Sequence, residues 1–381
     1  MRKILKLVFI VLISFFVITN KIYGLDAIVS SSVNMRTGPS TSYSSLGLLS
    51  TGTVISVIDT VSSSDSSCST RAWYKYVYNG NTVYSCTSLF DATNKYNRPW
   101  DTPGKSIYYG AKYIANGYIS KGQYTSYLTK FNVNPDSSYS LFTHQYMTNV
   151  RGAYYEANRT YSAYSNNKLL TQPLVFKIPI FNSMPGQTIL PGGIAAPIGQ
   201  TVITDLVFED KLNAQGFPET YKSRLRELHT KYPSWTFESL KTNITWSTAV
   251  SKEQPHSYID SSNSAYVVSQ TIVEGPNWRV ANSATTAYYL DPRNFLNEQK
   301  VFMFLKLSYS TVETESVLSS MLQNTFMSGT SSLDKKTYAK LFVEAGSGNN
   351  VSPIFLVSKV IQEVGTNGSA ATTGGSFNYG G

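Results

Sequence analysis

Three histidines and two cysteines in 381 residues are too few for most metal centres. A metal site needs more ligands than two thiols, and His144, His229 and His256 show no ligand spacing with Cys68 and Cys86. All three histidines therefore read as surface or structural residues, and neither a metal nor any other cofactor is expected. No cluster of basic residues marks a nucleic-acid surface. Nor does any sign of disorder appear, because 41% hydrophobic residues suffice for ordinary packed cores in two or three domains.

What is present begins at the N-terminus, where Arg2, Lys3 and Lys6 precede an uncharged, largely apolar run from Leu7 to Ile18. This reads as a signal peptide, residues 1–24, with cleavage after Gly24. The run is shorter than the roughly 20 residues needed to cross a bilayer, which argues against an uncleaved anchor. Cleavage removes Arg2, Lys3, Lys6 and Lys21, so the formal net charge falls from +9 to +5. A secreted chain with that mild positive charge adsorbs to anionic wall polymers, although a solvated surface with no partner explains it equally well. In an oxidising compartment Cys68 and Cys86, 18 residues apart, can form a disulfide.

Residues 25–95 read as short strands separated by turns: VNMRTGPSTSYSSLGLLSTGTVISVIDTV, then WYKYVYNGNTVYSCTSLF, with Asn79-Gly80 as a hairpin turn. A small β-barrel is expected. Asn34-Met35-Arg36-Thr37-Gly38-Pro39 followed by a Gly-Thr-Val strand resembles the bacterial SH3 family. That resemblance implies binding to peptidoglycan or its peptide cross-bridges, with Trp73, Tyr74 or Tyr76 as candidate contacts if they are exposed; packing in the core is the competing role for each.

From Asn97 the texture becomes helical. Ile107, Gly110, Ala111, Ile114 and Tyr118 repeat at i, i+3, i+4, i+7 and i+11, which predicts one amphipathic helix. Polar, Tyr-rich turns follow, including THQYMTNV, then the apolar stretch LVFKIPIFNSMP. Residues 186–213, rich in Pro and Gly at their start, read as a linker. Further helices are expected from near Pro218 to before Pro233, after the Asp291-Pro292 break, and from Leu333 to Gly346.

In VSPIFLVSKVIQEVGTNGS, Ser352 is placed as N-cap, Pro353 as the first helical residue and Gly365 as the C-terminal stop. Ile354, Val357, Ile361 and Val364 form one apolar face. Glu363 then lies in the last turn among apolar neighbours, where desolvation and the negative end of the helix dipole both raise its pKa. Lys359, one turn earlier, opposes that shift. A raised carboxyl is what a glycosidase needs to protonate a leaving-group oxygen.

The segments YPSWTF, YYLDPRNFLNE, FVEAG and VSPIFLVSKVIQEVGTNGSAATTGGSFNYGG, in that order over 214–381, resemble the proximal part of the endo-β-N-acetylglucosaminidase domain of autolysins, glycoside hydrolase family 73. The resemblance implies an α+β protein: a small all-β SH3-like barrel plus a mainly helical, lysozyme-like glucosaminidase domain. It also implies cleavage of the β-1,4 bond after N-acetylglucosamine in peptidoglycan glycan strands, with Glu363 of the QEVG motif as catalytic acid. Residues 97–185 resemble the distal part of the same domain, which in the family follows the catalytic Glu; here they precede it. A natural rearrangement, a remnant of duplication and a truncated or misjoined reading frame all fit that order. The chain stops at Gly381, before the tyrosine-rich segment that in the family completes the cleft, so weak or absent activity is one expectation.

For a second carboxylate Glu344 is the nearest acid by motif, with a helix-surface ion pair as its competing role; assistance by the substrate's N-acetyl group would make a second carboxylate unnecessary. The alternative function is a non-catalytic wall-binding protein with an incomplete hydrolase domain. An amidase or peptidase would need a zinc set or a Cys/His pair, and neither is visible.

Overall fold

The computed structural model describes residues 26–92, 102–193, 202–203 and 205–369. The expected signal peptide and the last residues of the chain lie outside that range. Among the described residues no helix is long and apolar enough to cross a membrane. The chain is α+β and divides into two compact units, with the boundary near residue 110.

The first unit holds seven strands: β1 (Asp26–Val29), β2 (Val33–Arg36), β3 (Ser45–Leu49), β4 (Val54–Ser62), β5 (Ala72–Tyr78), β6 (Asn81–Cys86) and β7 (Phe90–Ala92). They form one antiparallel sheet in the order β3-β2-β6-β5-β4-β1-β7. Alternation sends every second side chain inward, and Ala27, Val29, Val33, Met35, Leu49, Ile55, Val57, Tyr74, Tyr76, Val83 and Phe90 meet in one cluster. All seven strands contribute to it, so the sheet curls around a single core. The β5–β6 turn is Asn79-Gly80, both at positive φ (47° and 80°), the twist a two-residue hairpin demands.

Trp73, Tyr74 and Tyr76 are all buried. Of their two candidate roles, core packing is the one each takes: Tyr74 and Tyr76 fill the barrel interior, and Trp73, facing the other way, is covered by the Cys68–Cys86 disulfide. Among the described residues of the strands and their loops, Tyr43 and Tyr78 are exposed aromatics. Asp65 ties two loops together, accepting hydrogen bonds from Ser67 and from the Thr41 amide and hydroxyl (2.5 and 2.7 Å). These bonds, that from the Ser67 hydroxyl first, hold its carboxyl well below the usual range.

Helix α1 (Pro103–Gly117) forms where the apolar repeat predicts it. The second unit continues with α2 (Ser126–Lys130), α3 (Gly152–Asn166), β8 (Val175–Asn182), α4 (Leu206–Gln215), α5 (Glu219–Lys231), β9 (Thr236–Thr245), α6 (Trp246–Glu253), β10 (Tyr258–Asp260), β11 (Trp278–Val280), α7 (Ser283–Leu290), α8 (Glu315–Leu322), α9 (Tyr338–Asn349) and α10 (Pro353–Val364). Strands β8 and β9 pair in parallel, aligning Phe176 with Phe237, and Trp235 and Phe302 close around Phe176 at 4.9 and 5.6 Å between ring centroids. The Tyr127 hydroxyl donates to the Leu290 carbonyl at 2.5 Å, and the Lys306 amide to that of Val175 at 3.0 Å. Elements from either side of the Pro/Gly-rich stretch therefore share one core.

Four local expectations need correction. The stretch read as Tyr-rich turns contains α3, a 15-residue helix that buries Ala153, Glu156, Ala157, Thr160, Ala163 and Tyr164 on one face. The linker expected over 186–213 ends in a helix. Asp205 caps α4, Gly216 stops it at φ 74°, and Glu209 is held by Arg226 and Lys222. Near its start, Thr188 bridges Asp291 and Asn294 at 2.8 Å each. After Asp291-Pro292 the chain makes two 3-10 turns, 292–295 and 300–304, and the helix expected from Leu333 begins at Tyr338, capped by Thr337.

The disulfide bridges strand β6 to the loop before β5. Peptide mass spectrometry without reduction should find Cys68 linked to Cys86, and reduction should destabilise the first unit by about 3 kcal/mol. Two free thiols in the purified, unreduced protein would contradict this.

Candidate active site

Helix α10 carries Glu363, and its start is fixed by an acid from outside the helix. The Ser352 hydroxyl accepts from the Phe355 amide (3.1 Å) and donates to Glu313 Oε2 (2.7 Å). Glu313 also accepts from the Ile354 amide (2.8 Å) and from the Tyr164 hydroxyl of α3 (2.7 Å). A carboxylate at a helix N-terminus satisfies orphan amides and complements the dipole. Residues Pro353 to Val360 are all buried. Gly346 of α9 permits the close approach of this segment, because a Cβ there would lie 2.6 Å from both the Pro353 ring and the Val351 carbonyl. Gly365 ends the helix at φ 74°.

Glu363 is half-buried in the last turn. The Tyr146 hydroxyl donates to its Oε1 at 3.3 Å. Burial raises the Glu363 carboxyl; Lys359, the Tyr146 hydrogen bond and Arg159 oppose without cancelling. The Tyr146 phenol is itself raised, by burial first and by Glu363 second, so it remains a donor.

Lys359, four residues before Glu363, is buried in an ion pair with Glu156 of α3. Its ammonium lies 4.0 Å from the Tyr146 ring centroid and 5.3 Å from that of Phe355. The half of α3 that holds Lys359 also presents Arg159, three residues on, whose charge acts on Glu363.

Tyr146 is positioned by its own surroundings. Its amide donates to the Thr129 carbonyl at 2.8 Å, and Tyr118 meets its ring edge-on at 5.9 Å. Two residues earlier, His144 stacks on Tyr139 at 3.7 Å and pairs through Nδ1 with Gln123 Oε1 at 2.9 Å. His144 holds φ 54°, an uncommon left-handed conformation for a side-chain-bearing residue. Burial lowers its imidazole pKa.

Of the residues singled out from sequence, the structure brings Glu363 and Lys359 together with Tyr146, Glu156 and Arg159. Glu344 is not part of this group: it is exposed on α9 and paired with Lys336 at 2.8 Å. His229 stacks on Phe208 and bonds Asp205. No group of three or more His, Cys, Asp or Glu able to hold a metal occurs among the described residues. Sequence reasoning assigned no role to Tyr146, Glu156 or Arg159. The i, i+3 spacing of Glu156 and Arg159 was the available signal, and it becomes visible only once 152–166 is read as a helix.

Comparison with known proteins identifies one module and one partial likeness. Residues 31–85 match the bacterial SH3 domain family. A beta-N-acetylglucosaminidase of Bacillus subtilis (strain 168) is 34% identical over 102 residues, 23% of this chain and 11% of that protein. This chain thus spans a small part of that relative. No solved structure matches the chain at a significant level.

The raised Glu363 carboxyl has a consequence for stability. The folded state keeps this proton at pH values where the unfolded chain, with the ordinary value of 4.5, has released it. Stability therefore falls as pH rises from that value through the folded one. Glu363→Gln, which cannot ionise, should match the wild type in urea midpoint near about pH 4 and exceed it near about pH 7.5. A lower midpoint for the variant at the higher pH would contradict the direction of the shift.

Proposed function

We propose that this chain is a secreted, wall-associated peptidoglycan hydrolase: the SH3-like module holds it on the cell wall, and the second unit cleaves the β-1,4 bond after N-acetylglucosamine with Glu363 as general acid. The observation that carries this reading is the state of Glu363, a half-buried carboxyl with a raised pKa at the end of an otherwise buried helix. A carboxyl that holds its proton more firmly than an exposed glutamate does is the kind of group that departing sugar oxygens require.

The hydrogen bond from Tyr146 adds an orientation. A protonated carboxyl accepts through its carbonyl oxygen, so donation to Oε1 places the acid proton on Oε2. That oxygen delivers the proton to the glycosidic oxygen as the bond breaks, and Tyr146 stabilises the carboxylate left behind. Arg159 and Lys359 favour the same charged product. Burial thus favours the proton on Glu363 before the transfer, and its polar neighbours support the charge afterwards.

The match of residues 31–85 to the bacterial SH3 domain family and the partial likeness to a protein named beta-N-acetylglucosaminidase support the reading. The motif order in 214–381 supports a lysozyme-like glucosaminidase domain, and residues 97–185 supply its other part in permuted order. Glycan strands are the proposed substrate and peptide cross-bridges the proposed ligand of the SH3-like module. With Trp73, Tyr74 and Tyr76 buried, exposed Tyr43 and Tyr78 are proposed as aromatics that meet that ligand.

Purified peptidoglycan incubated with the protein should release new reducing ends, and Glu363→Gln should slow release by about 10²- to 10⁴-fold, the usual loss when a general acid is removed. Sedimentation with intact walls should be the same for both proteins. Cutting by the Gln variant at the unmodified rate would overturn the role of Glu363. Wall binding by a wild-type protein that releases no reducing ends would favour the second reading, a non-catalytic wall-binding protein.

A further inference from the structure

Lys359 and Glu363 stand four residues apart on one helix, the spacing at which a lysine and a glutamate ordinarily pair. Such a pair would fix Glu363 as a carboxylate and leave it without a proton to give. The structure instead sets the Lys359 ammonium against Glu156, which reaches in from α3, and roofs it with the Tyr146 ring at 4.0 Å. Both members of the pair are buried, each side chain about 4% exposed, and burial pulls the Lys359 amine well below its ordinary value, so it keeps its proton where a carboxylate lies against it. In that environment a charge is poorly screened, and which carboxylate holds the ammonium matters more than it would at the surface.

We propose that Glu156 is a positioning residue for the acid: it takes the Lys359 ammonium into a buried ion pair and so leaves Glu363, one turn further on, free to carry its proton. The inference rests on the reading of Glu363 as general acid. Glu156 touches neither substrate nor Glu363 in this scheme and acts through Lys359 alone.

Other charged groups do not explain the arrangement. Helix α10 packs against α3, α8 and α9. On α3, Arg159 acts on Glu363 as a cation, and the Tyr164 hydroxyl is taken by Glu313. On α9, Glu344 is paired with Lys336, and on α8 Glu315 accepts from Thr337. Segment 144–146 contributes Tyr146, a neutral donor to Glu363. Among the described residues Glu156 is thus the anion paired with Lys359, while Glu363 acts on the same amine through space.

The test is the titration of the Glu363 carboxyl, followed by NMR in protein carrying ¹³C-labelled glutamate side chains and assigned by the signal lost in Glu363→Gln. In Glu156→Gln the ammonium loses its carboxylate and its charge falls on Glu363, so the midpoint should drop by about one unit, the low end of what a charge within a few ångströms does. In Lys359→Met the midpoint should rise by a similar amount. The double variant, which deletes both charges, should return toward the wild type, and Lys359→Arg should leave the midpoint in place. The limb of the pH–rate profile that reports the acid should move with each midpoint.

An unmoved midpoint in folded Glu156→Gln would overturn the proposal, since a merely structural role predicts lost stability without a shift. If Glu156→Gln does not fold, Lys359→Met and the double variant decide: a rise in the first that the second reverses supports the proposal, and equal midpoints refute it. The titration needs no turnover. Failure of the general-acid reading would show separately, as undiminished cutting by Glu363→Gln.

Discussion

The second unit depends on one packing constraint: helix α3 grips helix α10 at both ends, with a buried ionisable group at each grip. At the N-terminal end Tyr164 and the α10 cap converge on Glu313; toward the C-terminal end Glu156 takes Lys359. Burying charge is costly, and removing one partner of such a pair costs roughly 3–5 kcal/mol because the other is left in a low-dielectric interior. Two helices joined this way are therefore held in one register. A buried ion pair adds little net stability compared with apolar packing, so its retention beside Glu363 fits a role in setting that carboxyl's charge.

The same contact explains how segments that resemble a domain in permuted order form one unit. Helix α3 belongs to the part that precedes α10 in sequence, as do Tyr146 and β8. The parallel pairing of β8 with β9 and the contacts of Tyr127 and Val175 with the chain after 289 join the two parts. Packing depends on which faces meet and is indifferent to the order in which the chain supplies them.

Much of the local structure was legible because its signals are short-range. Ser352-Pro353 and Gly365 bracket α10, Asn79-Gly80 makes its hairpin, and the raised carboxyl of Glu363 follows from a helix end among apolar neighbours. The rest required knowledge of what lies across from each residue. Trp73 looks like an exposed strand aromatic until the disulfide is seen to cover it. Helix α3 escaped because GAYYEANRTYSAYSN is rich in Tyr, Ser and Asn, residues of modest helix propensity, and is stabilised by burial of its small-residue face. Without α3 neither Glu156 nor Arg159 could be placed near Glu363. Helix α4 was hidden by extending a Pro/Gly composition past the Asp205 cap that ends it.

The proposed function joins an SH3-like module to an acid proposed to protonate a sugar leaving group, and the chemical identity of the new chain end tests that union most directly. Peptidoglycan digested by the protein, reduced with borohydride and analysed by mass spectrometry should carry N-acetylglucosaminitol at its new ends. N-acetylmuramitol ends, or cleaved peptide bonds with intact glycan strands, would contradict it.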